Sequence, residues 1–237
     1  DDKALFKGRL AEGGIPVPRG GAFTRFAPML EMFRALQKPV IVKPRLGSRG
    51  RHTTTQVHTE ADLRRAFDIA RVLCPSVVME EHLVGSVYRA TVIDGALVGI
   101  LRGDPPRVVG DGVKTIRALT DAKNATRDPR VAAVVLGPEH QTFLARTQRT
   151  FESVPARDES VDLLDKVGIP YGGSSADNTP IAHPDVLRYA VSAARVVEDP
   201  VVGFDFIIPD VTRDPGTQKW GFIECNTAPF INLHHFP

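Results

Sequence analysis

Three oxygen-bearing side chains occur near the C-terminus in apolar, strand-like stretches whose interiors would not ordinarily carry acids. Residues 203–208 contain Asp205, and residues 222–229 contain Glu224 and Asn226. If Asp205 faces Glu224 across an antiparallel pair, side-chain alternation places all three on one face. Two close carboxylates repel each other, and Mg²⁺ completed by the phosphates of ATP would relieve that repulsion. A hairpin with a solvated polar face is the alternative.

A second candidate site follows a short hydrophobic strand at residues 38–44. Lys43 closes this strand, and a basic loop with Gly47, Ser48 and Gly50 comes next. A lysine in that place can reach a phosphate as a point charge. Glycines allow backbone N–H groups to approach the same anion. A surface hairpin with solvated arginines explains the same residues as well.

Two further segments carry weaker signals. Lys3 and Lys7 lie on the first predicted helix, where lysines are ordinarily exposed, and Lys7 is expected to be exposed. An apolar strand ends at Glu80, Glu81, His82 and Leu83. A connector of this kind between two lobes can hold adenine through its backbone groups, although a plain strand end is the alternative.

The elements that must position these residues are helices and antiparallel hairpins. Capping and periodicity predict helices at residues 2–12, after Pro28, from Thr59, and from Pro184 to about residue 197. Residues 115–166 are predicted to be mostly helical. Strands are predicted at residues 38–44, 53–57 and 76–79, with hairpins at 86–93/96–101 and on either side of a polar tip at 209–219. This order favours an α+β fold over a parallel doubly wound sheet.

Composition restricts the class of protein. The 237 residues are 42% hydrophobic and 24% charged with a net charge of +2, which suits one soluble globular unit or two small lobes. No apolar run has transmembrane length, and no signal peptide is expected. The near-balanced charge gives no reason to expect nucleic acid or a membrane as partner. Cys74 and Cys225 are expected to be reduced core thiols of a cytoplasmic protein. The abrupt ends suggest part of a larger multidomain chain, and a homo-oligomer is left open.

The candidate motifs occur in a specific order along most of the chain. They are Asp2-Lys3 with Gly14-Ile15-Pro16-Val17-Pro18, then Val40-Ile41-Val42-Lys43-Pro44 with Gly47 and Gly50, then Gly110-Asp111-Gly112, Gly172-Gly173, His183-Pro184, Gly203-Phe204-Asp205 and Glu224-Cys225-Asn226-Thr227-Ala228-Pro229. In this order the chain resembles the ATP-grasp superfamily, most closely the ATP-grasp domain of cyanophycin synthetase and related amino-acid ligases.

The resemblance implies ATP held between two α+β lobes, residues 1–84 and residues 85–237. Lys3 and Lys43 would contact the phosphates, and the glycine loop would cover them. The connector from Glu80 to Leu83 would hold adenine. The metal ligands for Mg²⁺ would be Asp205, Glu224 and Asn226.

The resemblance also implies an ATP-dependent carboxylate–amine ligase acting on amino acids or short peptides through an acyl phosphate. Arg89 and Arg102 would steady the transferred phosphoryl group or the acyl carboxylate. Backbone N–H groups of Gly172, Gly173 and Ser174 would receive a substrate carboxylate, with a plain turn as the alternative.

Three departures from the family pattern keep other functions open. Ser86 and Val87 occupy the place of an acid that holds the ribose, residues 166–171 replace an arginine- and asparagine-bearing stretch, and His52 replaces a glycine. A kinase on the same fold and a non-catalytic nucleotide-binding domain are the alternative hypotheses.

Overall fold

The computed structural model describes residues 2–47, 52–227, 229, 231 and 234. The chain divides into two compact units, one made of Asp1–Ile100 with Asn178–Ile231 and the other of Leu101–Asp177 with Asn232–Pro237. The predicted lobe boundary between residues 84 and 85 lies within the first unit and stays a prediction. Among the described helices, none has the length and apolar character needed to cross a membrane.

Three of the predicted helix starts are confirmed by their caps, whereas the helix predicted to follow Pro28 begins earlier, at Phe26, without a side-chain cap. The Asp2 side chain accepts hydrogen bonds from the N–H groups of Ala4 and Leu5, and the Thr59 hydroxyl accepts one from Asp62. His183 caps the helix that Pro184 opens. The described residues form the helices α1 (Lys3–Glu12), α2 (Phe26–Ala35), α3 (Glu60–Arg71), α4 (Ile116–Thr126), α5 (Pro138–Ala145) and α6 (Pro184–Val197).

The prediction that residues 115–166 are mostly helical is wrong. Only α4 and α5 form there, and residues 146–166 are mainly turns and bends with one short strand. α4 ends at Thr126, shortly before Asp128-Pro129, because the residue before a proline is disfavoured in helical conformation. Gly137 and Pro138 then set the start of α5.

The strands form antiparallel pairs throughout. The described residues contain β1 (Gly20–Phe23), β2 (Val40–Pro44), β3 (Thr54–Val57), β4 (Val77–Glu81), β5 (Ser86–Ile93), β6 (Ala96–Asp104), β7 (Arg107–Val109), β8 (Ser160–Asp162), β9 (Ser174–Asp177), β10 (Val201–Ile208) and β11 (Gly221–Asn226). The predicted hairpin of β5 and β6 is confirmed. Its turn residues Asp94 and Gly95 both have positive φ, 47° and 74°, as tight hairpin turns require.

The first unit contains two sheets, each covered by helices. One sheet has the order β1-β4-β2-β3 and the other contains β11, β10, β5 and β6 in that order. α2 and α3 pack on the first sheet around Phe33, Phe67 and Met79. α1 and α6 pack on the second sheet, whose core includes Phe204, Phe206 and Phe222.

The second unit is smaller and has its own core. The end of β6 pairs with β9 from Leu101↔Asp177 to Asp104↔Ser174, and β7 pairs with β8. Ile116, Leu144 and Leu163 are fully or almost fully buried between these elements and the helices α4 and α5.

Candidate nucleotide and metal site

The predicted register of the two acidic strands is confirmed. Asp205 on β10 is the cross-strand partner of Glu224 on β11. A β-bulge follows, because Phe206 pairs with Phe222 and the register passes over Ile223. The extra residue lets both Phe222 and Cys225 reach the core while Glu224 shares the opposite face with Asp205. Asn226 lies two residues beyond Glu224 on the same face.

Asp205 is held by an arginine on the neighbouring strand. Arg89 of β5 is the register partner of Asp205, and its Nε and Nη2 donate to Asp205 Oδ1 and Oδ2 at 2.7 and 2.8 Å. Burial raises the pKa of the Asp205 carboxyl, and the hydrogen bonds and charge of Arg89 act against that rise. The structure therefore pairs a predicted metal ligand with a predicted catalytic arginine.

Glu224 is paired from the other side by α1. The distance from Lys3 Nζ to Glu224 Oε1 is 3.4 Å, and the Lys3 side chain is only 6% exposed. The start of α1 is fixed by Arg45, whose Nε and Nη2 donate to Asp2 Oδ1 and Oδ2 at 2.8 and 2.7 Å. A row of charged side chains thus runs from Arg89 through Asp205 and Glu224 to Lys3, with the two carboxylates between the two cations.

The three predicted metal ligands lie on this face of the sheet. Within the described part of the chain, no group of three or more His, Cys, Asp or Glu side chains is placed to hold a metal ion. The Asp205 and Glu224 carboxylates and the Asn226 amide oxygen are the oxygens that suit Mg²⁺. Their role as metal ligands stays a prediction.

A second charged cluster surrounds Glu80 on β4. Lys7 Nζ donates to Glu80 Oε1 in a buried contact, and Lys43 Nζ lies 2.9 Å from Glu80 Oε2. The expectation that Lys7 is exposed is wrong. It lies one helical turn beyond Lys3 on the same face of α1, which is turned towards the protein interior.

All three members of this cluster have shifted pKa values. Burial and the nearby charge of Lys43 lower the pKa of Lys7 to about 7, although Glu80 opposes the change. Burial would also lower the pKa of Lys43, but Glu80 and then Glu224 raise it above its usual value. Burial would raise the pKa of Glu80, and the charges of Lys43 and Lys7 lower it. The cluster is therefore an ionised glutamate shared by two lysines.

The side chains of the predicted adenine connector face different parts of the fold. The Glu80 side chain faces the two lysines, whereas Glu81 points away and its Oε2 lies 3.1 Å from Lys219 Nζ. The N–H groups of Glu81 and His82 donate to the carbonyls of Arg19 and Pro39. Those N–H groups are thus engaged within the fold, and purine contacts would fall to other backbone groups near Leu83.

The predicted phosphate loop is described only in part. Gly47 has a φ of 67°, in the left-handed region, and follows directly from β2 and Lys43. Ser48 and Gly50 lie outside the described residues. Their contact with a phosphate stays a prediction.

The remaining predicted residues belong to the second unit. Arg102 Nη2 donates to Asp104 Oδ2 at 3.1 Å, and the Ser174 hydroxyl donates to the same oxygen at 3.4 Å. The N–H groups of Gly172 and Gly173 donate to Ile169 and Gly168 carbonyls.

The binding of a substrate carboxylate by the double-glycine segment stays a prediction. The glycines also have a packing reason, since a Cβ at Gly172 would lie 2.5 Å from Val134 Cγ2 and a Cβ at Gly173 would lie 2.0 Å from the Asp104 carbonyl oxygen. The segment does line a cavity of about 370 Å³, together with Lys123 and Arg127.

Sequence reasoning missed the Lys7–Glu80 contact. The available signal was the spacing of Lys3 and Lys7, which puts both on the helix face that also carries Phe6 and Leu10. A lysine on the core-facing side of a helix needs an acidic partner, but the spacing does not identify that partner.

No family model matches the chain. Solved structures confirm the predicted ATP-grasp fold. The ATP-grasp ligase PsnB superimposes with a TM-score of 0.55 at 18% identity over 98% of this chain and 54% of that chain. D-alanine–D-alanine ligase from Bacillus anthracis gives a TM-score of 0.58 at 14% identity over 96% of this chain and 57% of that chain. Both likenesses concern the fold alone.

The relatives are named for the synthesis of glutathione and of cyanophycin. The chain is 33% identical to the glutathione biosynthesis bifunctional protein GshAB of Mannheimia succiniciproducens over 100% of its own length. It is 27% identical to cyanophycin synthetase of Trichormus variabilis, again over 100% of its own length. The crystal structure of a bifunctional glutathione synthetase from Pasteurella multocida superimposes with a TM-score of 0.65 at 30% identity over 99% of this chain and 33% of that chain. The chain spans 33% of GshAB and 27% of cyanophycin synthetase.

Proposed function

We propose that the chain is the ATP-grasp part of an ATP- and Mg²⁺-dependent ligase that joins a carboxylate to an amine. The observation that carries the proposal is the position of Lys3. Its buried ammonium lies 3.4 Å from Glu224, which in turn faces Asp205 across β10 and β11. The closeness of this cation to the two carboxylates supports a site in which Lys3 contacts phosphate and Asp205 and Glu224 hold the metal.

The residues present suit a magnesium–nucleotide complex. Lys3 and Lys43 are buried cations, and Glu224 is close enough to Lys43 to contribute to its raised pKa. A triphosphate would gain from both charges in a site shielded from water. Glu224, Asn226 and Asp205 would hold Mg²⁺, with Asp205 shared between the metal and Arg89. The bound ion would screen the phosphate charges and orient the triphosphate.

The chemistry follows from the poor reactivity of a carboxylate. A substrate carboxylate oxygen attacks the γ-phosphorus of ATP, the bond to the bridging oxygen breaks, and ADP leaves. The amine nitrogen then attacks the acyl carbon, inorganic phosphate leaves and the amine proton is lost. Positioning and charge neutralisation do most of the work, so no serine or cysteine nucleophile is required.

The relatives suggest the kind of substrate. Their names refer to glutathione and cyanophycin, so the acyl donor and the amine are proposed to be amino acids or short peptides. The fraction of their length that the chain spans supports a larger multidomain protein. A cytoplasmic location is part of the same proposal.

Phosphate release from ATP with Mg²⁺ tests the reaction class. The purified chain is assayed with pairs drawn from amino acids and dipeptides, including the constituents of glutathione, and products are identified by mass spectrometry. Release that needs both a carboxylate and an amine, with an amide as product, is expected. A stable phosphorylated product from one substrate alone would indicate a kinase. No release with any pair, from folded protein, would contradict the proposal.

Variants test the site. Glu224→Gln is expected to lower turnover by about a hundredfold or more, because it removes a charge used to position the metal. Glu152→Gln is the matched control, since Glu152 is an exposed acid paired with Arg117 in the second unit. Equal losses in both variants would contradict the assignment of Glu224.

A further inference from the structure

Glu80 is a buried carboxylate with more cationic charge around it than it can neutralise. Its side chain is 3% exposed, and those of Lys7 and Lys43 are 8% and 9% exposed. Lys7 contacts Oε1 and Lys43 lies 2.9 Å from Oε2. With all three groups ionised the cluster has a net charge of +1. Burying an unmatched charge is costly, and an anion bound at the cluster would lower that cost by neutralising the excess positive charge.

Gly20 shows that the position of Glu80 is tightly constrained. Gly20 on β1 is the cross-strand partner of Glu80. A Cβ at Gly20 would lie 2.8 Å from both Cα and Cγ of Glu80. β1 therefore lies directly against the first part of the Glu80 side chain, and the lysines hold its far end.

We propose that Lys7 is a positioning residue for nucleotide binding: by sharing Glu80, it holds the Lys43 ammonium in place and leaves that ammonium charge available to a polyphosphate. This inference rests on the proposed function. Without Lys7, Glu80 and Lys43 form a closed neutral pair with little attraction for phosphate. With Lys7 protonated, the cluster keeps its positive charge.

The protonation of Lys7 makes this role measurable through the pH dependence of nucleotide binding. Its pKa is lowered to about 7 by burial and by Lys43. The groups that face Lys7 are Glu80 from β4 and Lys43 from β2, while Lys3, one turn earlier on α1, is paired with Glu224 of β11. A bound polyphosphate stabilises the protonated form, so binding near neutral pH takes up protons, and affinity falls as the pH rises above neutrality.

Titration calorimetry with a non-hydrolysable ATP analogue and Mg²⁺ tests the inference. Measurements at pH 7 in buffers of different ionisation enthalpy give the protons taken up per nucleotide. Wild type is expected to take up roughly half a proton more than Lys7→Met, as a group titrating near pH 7 requires. Lys7→Met is expected to bind about tenfold more weakly, the usual scale for losing a buried charged partner.

A second variant separates positioning from folding. Lys7→Arg keeps the charge at every pH, so it is expected to bind within about threefold of wild type and to lose the extra proton uptake. Lys114→Met, at an exposed lysine paired with Asp111, is the control for losing a lysine. A purely structural role would lower the unfolding temperature of the variants and leave proton uptake unchanged.

The outcomes are distinct. Wild-type affinity in Lys7→Met, or wild-type proton uptake in Lys7→Arg, would overturn this inference and leave the proposed function intact. If wild type itself bound no nucleotide at any pH, the proposed function and this inference would both be overturned.

Discussion

The guanidinium of Arg89 donates two hydrogen bonds to the carboxylate of Asp205, at 2.7 and 2.8 Å, between directly paired residues of β5 and β10. The side chains are 23% and 15% exposed. A bidentate pair with this little contact with water is among the stronger ion pairs in proteins. Removing one member leaves a charge without a partner.

Replacing Arg89 with Met should therefore destabilise the fold. The free energy of unfolding is expected to fall by about 3 kcal/mol, the usual scale for breaking a buried pair. Urea unfolding at neutral pH measures the change. The double variant Arg89→Met with Asp205→Asn should recover most of the loss, because no uncompensated charge remains. A single variant as stable as wild type would contradict the pairing.

Adding one methyl group at Gly20 should perturb the Glu80 cluster from the opposite strand. A Cβ there would lie 2.1 Å from the Met79 carbonyl oxygen, so β1 or β4 must move. Gly20→Ala is expected to lower the free energy of unfolding by about 2 kcal/mol or more.

Gly8 provides the matched control for Gly20. It lies in α1, and a Cβ there would meet no atom within 4 Å. Gly8→Ala should stabilise the protein by about 0.5–1 kcal/mol, since alanine favours helix. Thermal unfolding of both variants checks the pair, and a stabilised Gly20→Ala would refute the close approach of β1.

Glu80 should make stability sensitive to acid. Its pKa is lowered in the folded protein from the ordinary value of 4.5. Its contribution is therefore present above that value and is lost as the pH falls through the lower folded value. The stability gap between wild type and Glu80→Gln should shrink between neutral pH and pH 3 in urea unfolding. Glu60→Gln, at an exposed pair with Arg34, should show little gap at any pH.

Lys7 should affect the free energy of unfolding at neutral to alkaline pH. Its folded pKa is about 7 and its ordinary value is 10.5, so the folded protein binds fewer protons between these values. Through this group, the free energy of unfolding rises with pH across that window. The difference between wild type and Lys7→Met, measured from pH 7 to pH 10 without nucleotide, should show this rise. A flat difference would contradict the lowered pKa.

The thiols should be unreactive in the folded protein. Cys74 and Cys225 are free and buried, as predicted, and burial raises the pKa of Cys225 to about 12. Little Cys225 thiolate is therefore present at neutral pH, and burial blocks the access of reagents to both side chains. Labelling with a chromogenic disulfide should be slow in buffer and should reach both thiols in denaturant. Rapid labelling of native protein would contradict the burial of these residues.

Sequence patterns predicted those parts of the fold that depend on residues close together in the chain. Asp2, Thr59 and Pro184 mark helix starts through caps and backbone constraints that operate within a few residues. The sequence predicted the hairpin that carries Asp205 and Glu224, and strand alternation placed their side chains on one face once the two residues were assumed to be paired, as they are.

Long-range pairing was beyond such patterns. The burial of Lys7 depends on Glu80, 73 residues away, and the pairing of Arg89 with Asp205 spans 116 residues. Glycine patterns were also ambiguous at Gly172, where close packing on Val134 accounts for the residue without a ligand. The sequence alone does not tell whether a glycine is needed for packing or for ligand binding, or whether a lysine is exposed or buried against an acid.

Because of the bulge at Ile223, the last hairpin should tolerate the deletion of one residue at some positions and not at others. One residue removed from the polar loop before Trp220 leaves the β11 side chains in phase with β10. Removing Ile223, the residue that the register passes over, would also leave Phe222 facing the core and Glu224 on the face of Asp205. Removing Cys225 would instead turn Asn226 to the core side of the sheet. Deletions should thus be accommodated at the tip and at the bulge, and rejected just beyond it.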